Sequence, residues 1–168
     1  MNSKIFANYP IINGYKIQNR LVDAMDLTVR TAYIKEFKEN PQYYIEYGIQ
    51  EGETAEMIAD RVYGDINLFW IILMINEIHD VDNEWPLDRE SLERFIADTY
   101  SDPHGTKLYV SATSGAIIDP QFEPEWNVIK VTNTQYEEVV NELKRNIIIP
   151  HPNYIDLIVR QHNAVLRG

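Results

Sequence analysis

The 168-residue chain carries 26 acidic against 15 basic side chains, a formal net charge of −11, and no cysteine. That balance weighs against nucleic acid and anionic membranes, both polyanions, and the missing cysteines exclude disulfides, thiolate zinc sites and cysteine nucleophiles. The length suits one domain, or one module with substantial extensions, and is enough to bury a core; the amino terminus shows no basic region ahead of a long apolar stretch, so no export signal is expected.

Residues 1–41 read as an amino-terminal arm. Phe6, Tyr9, Pro10 and Ile12 suggest a packed extended segment, while Asp23 to Phe37 shows no clear period. Residues 42–100 read as a compact module with a helix after it. Tyr47-Gly48-Ile49 enters as a strand, Gly52 supplies a turn, and Thr54 is suited to cap a helix by accepting from a free first-turn N–H. Ala55, Ile58, Ala59 and Val62 then recur at helical spacing, with Glu56, Asp60 and Arg61 on the polar side. Gly64 ends that helix, and Asp65 is placed to cap the next.

In the second helix Leu68, Ile71, Ile72 and Ile75 make one face, and Phe69, Trp70, Leu73 and Met74 cover much of the rest. At ~1.5 Å per residue the apolar run is too short to cross a bilayer. A helix apolar around most of its circumference has to be covered on two sides. Either it is the centre of a larger core, or its surplus surface docks on other chains.

A third helix is expected over Asp88 to Tyr100. Asp88 caps it, Leu92, Phe95 and Ile96 form its stripe, and Arg89, Glu90, Glu93 and Arg94 stay in solvent. Residues 101–168 form a carboxy-terminal extension of loop, short strands and helices. Asp102-Pro103-His104-Gly105 breaks the preceding helix, and Leu108-Tyr109-Val110 and Val128 to Val131 read as strands among Gly115, Pro120 and Pro124. Gln135 to Lys144 reads as a helix with Lys144-Arg145 at its negative end. Ile147-Ile148-Ile149 is a β-branched strand stopped by Pro150. Pro152 to Leu166 closes as a helix with Ile155, Ile158, Val159, Val165 and Leu166 on one side. The fold class is α+β. Met1 to Ile12 and Asp102 to Trp126 hold few periodic apolar residues and are expected to order on binding.

Catalytic chemistry finds no support. His79, His104, His151 and His162 lack the short paired spacing of a helical metal site, and His162 reads as a hydrogen-bonded structural histidine beside an apolar stripe. Glu51 and Glu53 have the look of glycosidase carboxylates, but among 26 acidic residues such pairs arise freely. They read better as turn-flanking groups that favour a helix amino terminus. Ser111 and Ser114 lack a nucleophile-elbow context, and no glycine-rich phosphate loop occurs. No catalytic residue, cofactor, metal or small-molecule substrate is expected.

Glu51-Gly52-Glu53-Thr54, Ile58-Ala59, Tyr63-Gly64-Asp65 and the apolar helix ending at Asn76 resemble a LysM module, a small β-α-α-β fold. Phe6 to Pro10, Tyr63-Gly64-Asp65 leading into Trp70 to Leu73, Glu84-Trp85-Pro86-Leu87, and Asn141 to Pro150 with Tyr154 together resemble the baseplate wedge protein fifty-three family of large contractile-tailed phages. The resemblance implies a structural subunit of the virion's tail baseplate, assembled in the host cytoplasm. It would clip onto the helical core of the wedge and join neighbouring wedges around the hub in a hetero-oligomeric assembly. Aromatic anchors commonly dominate such contacts, which makes Phe69, Trp70 and Tyr154 the candidate partner-binding residues. The alternative is a LysM-type binder of peptidoglycan or chitin oligomers, with a cell-wall hydrolase as a third reading. A glycan-binding LysM module usually closes with a glycine turn and a second strand. Trp85 to Leu92 instead lacks glycine and runs into a predicted helix, which suits protein contact.

Overall fold

The computed structural model describes residues 11–17, 20–25, 39–118 and 127–167. Phe6, Tyr9, Pro10, Pro120, Pro124, Trp126 and the run from 26 to 38 lie outside the described residues. The strands are Ile11–Ile17 (β1), Arg20–Met25 (β2), Tyr44–Gly48 (β3), Thr106–Ser111 (β4), Ile117–Ile118 (β5), Val128–Thr132 (β6) and Asn146–Pro150 (β7). The α-helices are Ala55–Tyr63 (α1), Phe69–Ile75 (α2), Val81–Glu84 (α3), Arg89–Thr99 (α4), Asn133–Leu143 (α5) and Ile155–Arg167 (α6). Single 3-10 turns at Pro41–Tyr43, Ile66–Leu68 and Pro152–Tyr154 lead into β3, α2 and α6. The class is α+β, as the sequence indicates.

The chain divides into two units. The first takes in Met1–Tyr47, Glu53–His79 and Ile147–Gly168. Within it β1 and β2 pair antiparallel, with a bulge where Asn13 and Gly14 stand opposite Asp23 alone. Gly14 sits there at φ +71°, a conformation that costs glycine little, and its N–H donates to Asp23 Oδ1 at 3.3 Å. The helical part keeps the punctuation read from the sequence. Thr54 accepts from Met57 N, Gly64 closes α1 at φ +70° with its N–H on Asp60 O, and Asp65 accepts from Asn67 N.

β3 pairs with β7 rather than with chain directly following α2. Tyr43, just before β3, accepts at 2.8 Å from the N–H of His151, just after β7, so the two strands run antiparallel. Ile58, Ala59, Ile71, Ile72, Ile75, Ile149 and Pro150 are fully enclosed. α6 buries Ile155, Ile158, Val159, His162 and Leu166, whereas Val165, expected on that stripe, is 48 % exposed. The cause is helical phase: at about 100° per residue, Val165 falls outside the arc spanned by Ile155, Ile158, Val159, His162 and Leu166. Most of the apolar surplus of α2 is thus covered within the chain itself, and only Phe69, Leu73 and Met74 stay half-buried.

His162 packs its ring on Trp70, with centroids 4.4 Å apart and a tilt of 41°. Burial pushes its pKa below the ordinary 6.5. The unfolded chain therefore takes up this proton more readily than the fold does, so the stabilising share of neutral His162 is present above 6.5 and lost as pH falls below it. Urea midpoints measured downward from pH 7.5 should decline in wild type through that window, and the decline should be shallower in His162→Gln. Parallel curves would remove His162 from the account.

The second unit takes in Gly48–Gly52 and Asp80–Asn146. α4 begins at Asp88, whose carboxylate accepts from Ser91 N and Ser91 Oγ at 2.9 Å each, and these bonds hold its pKa below the usual carboxylate range. Ile96 is buried, but Phe95, expected inward, is 42 % exposed; it borders a shallow hollow with Leu87, Leu92 and Val140 and fills only part of it. α5 starts two residues before the expected Gln135, because Thr132 and Gln135 form a capping box. The Asp102–Gly105 turn is tied to that start: Asn133 N donates to Gly105 O and Thr134 N to Pro103 O, both at 3.0 Å. β4 is flanked by β5 and β6 in an antiparallel three-stranded sheet. Within the stretch Asp102 to Trp126, Thr106–Ser111 and Ile117–Ile118 are paired strand.

Asn141, 6 % exposed, holds both backbone groups of Leu87: its Oδ1 accepts from Leu87 N at 2.7 Å and its Nδ2 donates to Leu87 O at 2.9 Å. Lys107 donates to the Tyr100 hydroxyl at 3.1 Å and lies over the rings of Tyr100 and Tyr136, and the Tyr100 bond is the main reason its pKa is raised.

Candidate docking surface

The three aromatics singled out from the sequence fall in the first unit and in different surroundings. Trp70 is 4 % exposed and its ring lies on His162, so it belongs to the interior. Phe69 is half-buried on α2. Tyr154, also half-buried, stands at the start of α6 with its ring edge-on to Tyr43 at 4.9 Å and to His151 at 6.3 Å. Phe69 and Tyr154 are not brought into one cluster; their chain neighbours are.

Leu68, next to Phe69, and Pro152 and Ile155, flanking Tyr154, line a common groove of about 380 Å³ with Val62, Tyr63 and Val159. Asp65 and Asp156 complete its lining. The groove exists because Gly64 turns the chain from α1 into α2 just where the Pro152–Tyr154 turn feeds α6. Tyr63 contributes its ring edge; its hydroxyl donates to Pro150 O at 3.0 Å and burial drives its pKa well above the ordinary range. Ile66 and Leu157, which follow the two aspartates in the chain, are 51 % and 45 % exposed. Sequence reasoning missed this groove because Phe69, Trp70 and Tyr154 do not line it, and its walls come from residues nearly a hundred positions apart.

The two candidate carboxylates have structural duties. Glu53 is buried, accepts from the Tyr47 hydroxyl at 2.8 Å and pairs with Arg61, whose guanidinium also reaches that hydroxyl. Glu51 accepts from the first-turn N–H of Arg89 at 2.6 Å and pairs with Arg145, which donates to Ile49 O as well. Replacing Glu53 by Ala leaves a half-buried phenol without its acceptor and the Arg61 guanidinium without its ion pair. The expected loss is about 1–3 kcal/mol, read from the urea midpoint, and an unchanged midpoint would contradict it. Among the described residues no group of three or more His, Asp or Glu side chains could hold a metal ion, and no helix is long and apolar enough to cross a membrane.

The second unit carries its own apolar surface. Val110 of β4 stands between Ile117 of β5 and Ile129 of β6 in one cross-strand row, and Leu108 faces Val131 in the next row on the same side. Ile117 is 74 % and Ile129 56 % exposed. The sequence showed β4 and β6 as short strands but not β5, whose two residues are too short to announce a strand.

A family model described as base plate wedge protein 53 matches residues 11–111, more than half of the chain. The match spans β1 through β4 and stops short of the Asn141 to Pro150 block. No curated protein matches the sequence.

Proposed function

Since the chain belongs to the base plate wedge protein 53 family, structural proteins of the phage tail base plate, we propose that it clips onto the helical core of a wedge and joins neighbouring wedges around the hub. It does so by protein–protein contact and without catalysis of its own. The observation that carries this reading is the aliphatic row Ile117–Val110–Ile129, an exposed sheet face held in register across three strands. Exposed contiguous apolar surface of this kind marks interaction sites. Phe69 and Tyr154 serve as further anchors at the edge of the first unit, and Trp70 acts beneath them by keeping α2 in place.

The test pairs the free protein with the assembled particle. Ile117→Asp together with Ile129→Asp should shift the urea midpoint by no more than about 1 kcal/mol, as exposed substitutions do. In phage carrying the double variant, sedimentation should show unjoined wedges accumulating at the expense of complete base plates. Complete base plates at wild-type yield would sink the joining role. Purified protein should neither clear suspended bacterial walls nor bind N-acetylglucosamine oligomers; saturable oligomer binding would replace the proposal with a glycan-binding one.

A further inference from the structure

We infer that the groove between the α1–α2 turn and the start of α6 receives a segment of another base plate subunit that presents an aliphatic or aromatic side chain next to a lysine or arginine. The inference rests on the wedge reading for the existence of that subunit, and on the groove for its chemistry. Val62, Leu68, Ile155 and Val159 supply the apolar part of the lining, the part to which the aliphatic or aromatic group is matched. Among the described residues the charged groups that line it are Asp65, whose carboxylate also accepts from Asn67 N, and Asp156; both are acidic, which gives the opening one sign and selects a cation beside the apolar group. The nearest base on the same helix face, Arg160 one turn along α6, directs its Nε to the backbone oxygen of Asp156 at 3.1 Å and is not part of the lining.

A sugar fits this surface poorly. The hydroxyl of Tyr63 is already committed to Pro150 O, and Tyr63 is the one aromatic ring in the lining among the described residues. A volume of about 380 Å³ lies at the small end of ligand sites. The exposed Ile66 and Leu157 extend the apolar surface beyond the opening, which favours a peptide segment over an isolated small molecule.

The full chain is tested inside the particle. A photo-crosslinking benzoylphenylalanine at position 66 is incorporated into phage, base plates are purified, and the linked residue is mapped by mass spectrometry. The crosslink should land on a different subunit, at an apolar residue adjoining a lysine or arginine. Asp156→Lys should lower its yield about tenfold, the scale of one lost charge contact, and reversing the mapped cation to glutamate should restore it. Asp98→Lys, an exposed acid of the second unit, should leave the yield unchanged. Thermal midpoints of the purified variants confirm that Asp156→Lys folds. Base plates that contain the protein but give no crosslink, an acidic partner segment, a second copy of this chain, or a yield indifferent to Asp156→Lys would each overturn the groove assignment alone. Absence of the protein from base plates would overturn the wedge reading, and this inference with it.

Discussion

Replacing Trp70 by alanine is expected to destabilise the isolated protein by about 3–5 kcal/mol, the usual consequence of removing a buried indole. Domains of this size are stable by about 5–15 kcal/mol, so the variant should unfold at markedly lower urea or fail to accumulate. The reason lies in position. Trp70 is 4 % exposed, its helical neighbours Ile71 and Ile72 are fully enclosed, and its ring supports His162 of α6. No single residue can collapse into that space without moving α6. Phe69→Ala, one position along the same helix, gives the contrast: its ring is half-buried, and about 1–2 kcal/mol of apolar burial is at stake. Its larger effect should appear in base plate assembly, with the purified variant still folded. The midpoint of each variant, measured with the denaturant slope unchanged, separates the two roles. A Trp70→Ala protein as stable as wild type would mean that α2 is not held from within.

Which features were legible follows from the distance over which each is encoded. The Thr54, Asp65 and Asp88 caps and the Gly64 stop were readable because each depends on residues within four positions of one another. Thr132 follows the same rule, and its capping box with Gln135 was present as T-x-x-Q; the strand ending at Thr132 drew the helix start two residues late. The partner of β3 was not legible. Two short runs, Tyr44–Gly48 and Asn146–Pro150, do not state that they pair, and β7 reaches β3 from beyond the whole of α3 through α5. The bulge at Gly14 hid β1 in the same way, by breaking the alternation that would have announced it. For the docking surface, aromaticity drew attention to Phe69, Trp70 and Tyr154. Aromatic rings serve cores and interfaces alike, so their exposure could not be read from the sequence. The groove depends on Leu68, Pro152 and Ile155 meeting across the chain, and the sheet face depends on register; neither is a local property.

Asn76→Leu should cost about 2–4 kcal/mol despite adding an apolar group of similar size. Strand β7 offers alternate backbone groups to its two sides. One side belongs to β3. On the other, Ile148 presents its N–H and C=O, and Asn76 takes both, accepting at 2.9 Å through Oδ1 and donating at 2.7 Å through Nδ2. The same Nδ2 donates at 2.8 Å to Ile72 O, so one side chain closes the carboxy end of α2 and the edge of the strand together. Pro150, next on that edge, has no N–H to satisfy, and its carbonyl accepts from Tyr63. Two side chains thus stand where a third strand would otherwise pair, which also removes an edge that invites intermolecular pairing. Leucine at position 76 would leave the part-buried Ile148 groups unmatched, and hydrogen exchange at the Ile148 amide should accelerate together with the fall in urea midpoint. Asn76→Asp separates the contributions: it keeps an acceptor for the Ile148 N–H but turns a carboxylate oxygen toward the carbonyls of Ile72 and Ile148. It should therefore protect that amide better than leucine does while remaining well below wild type in stability. Equal exchange rates at Ile148 in all three proteins would show that the strand edge is satisfied without Asn76.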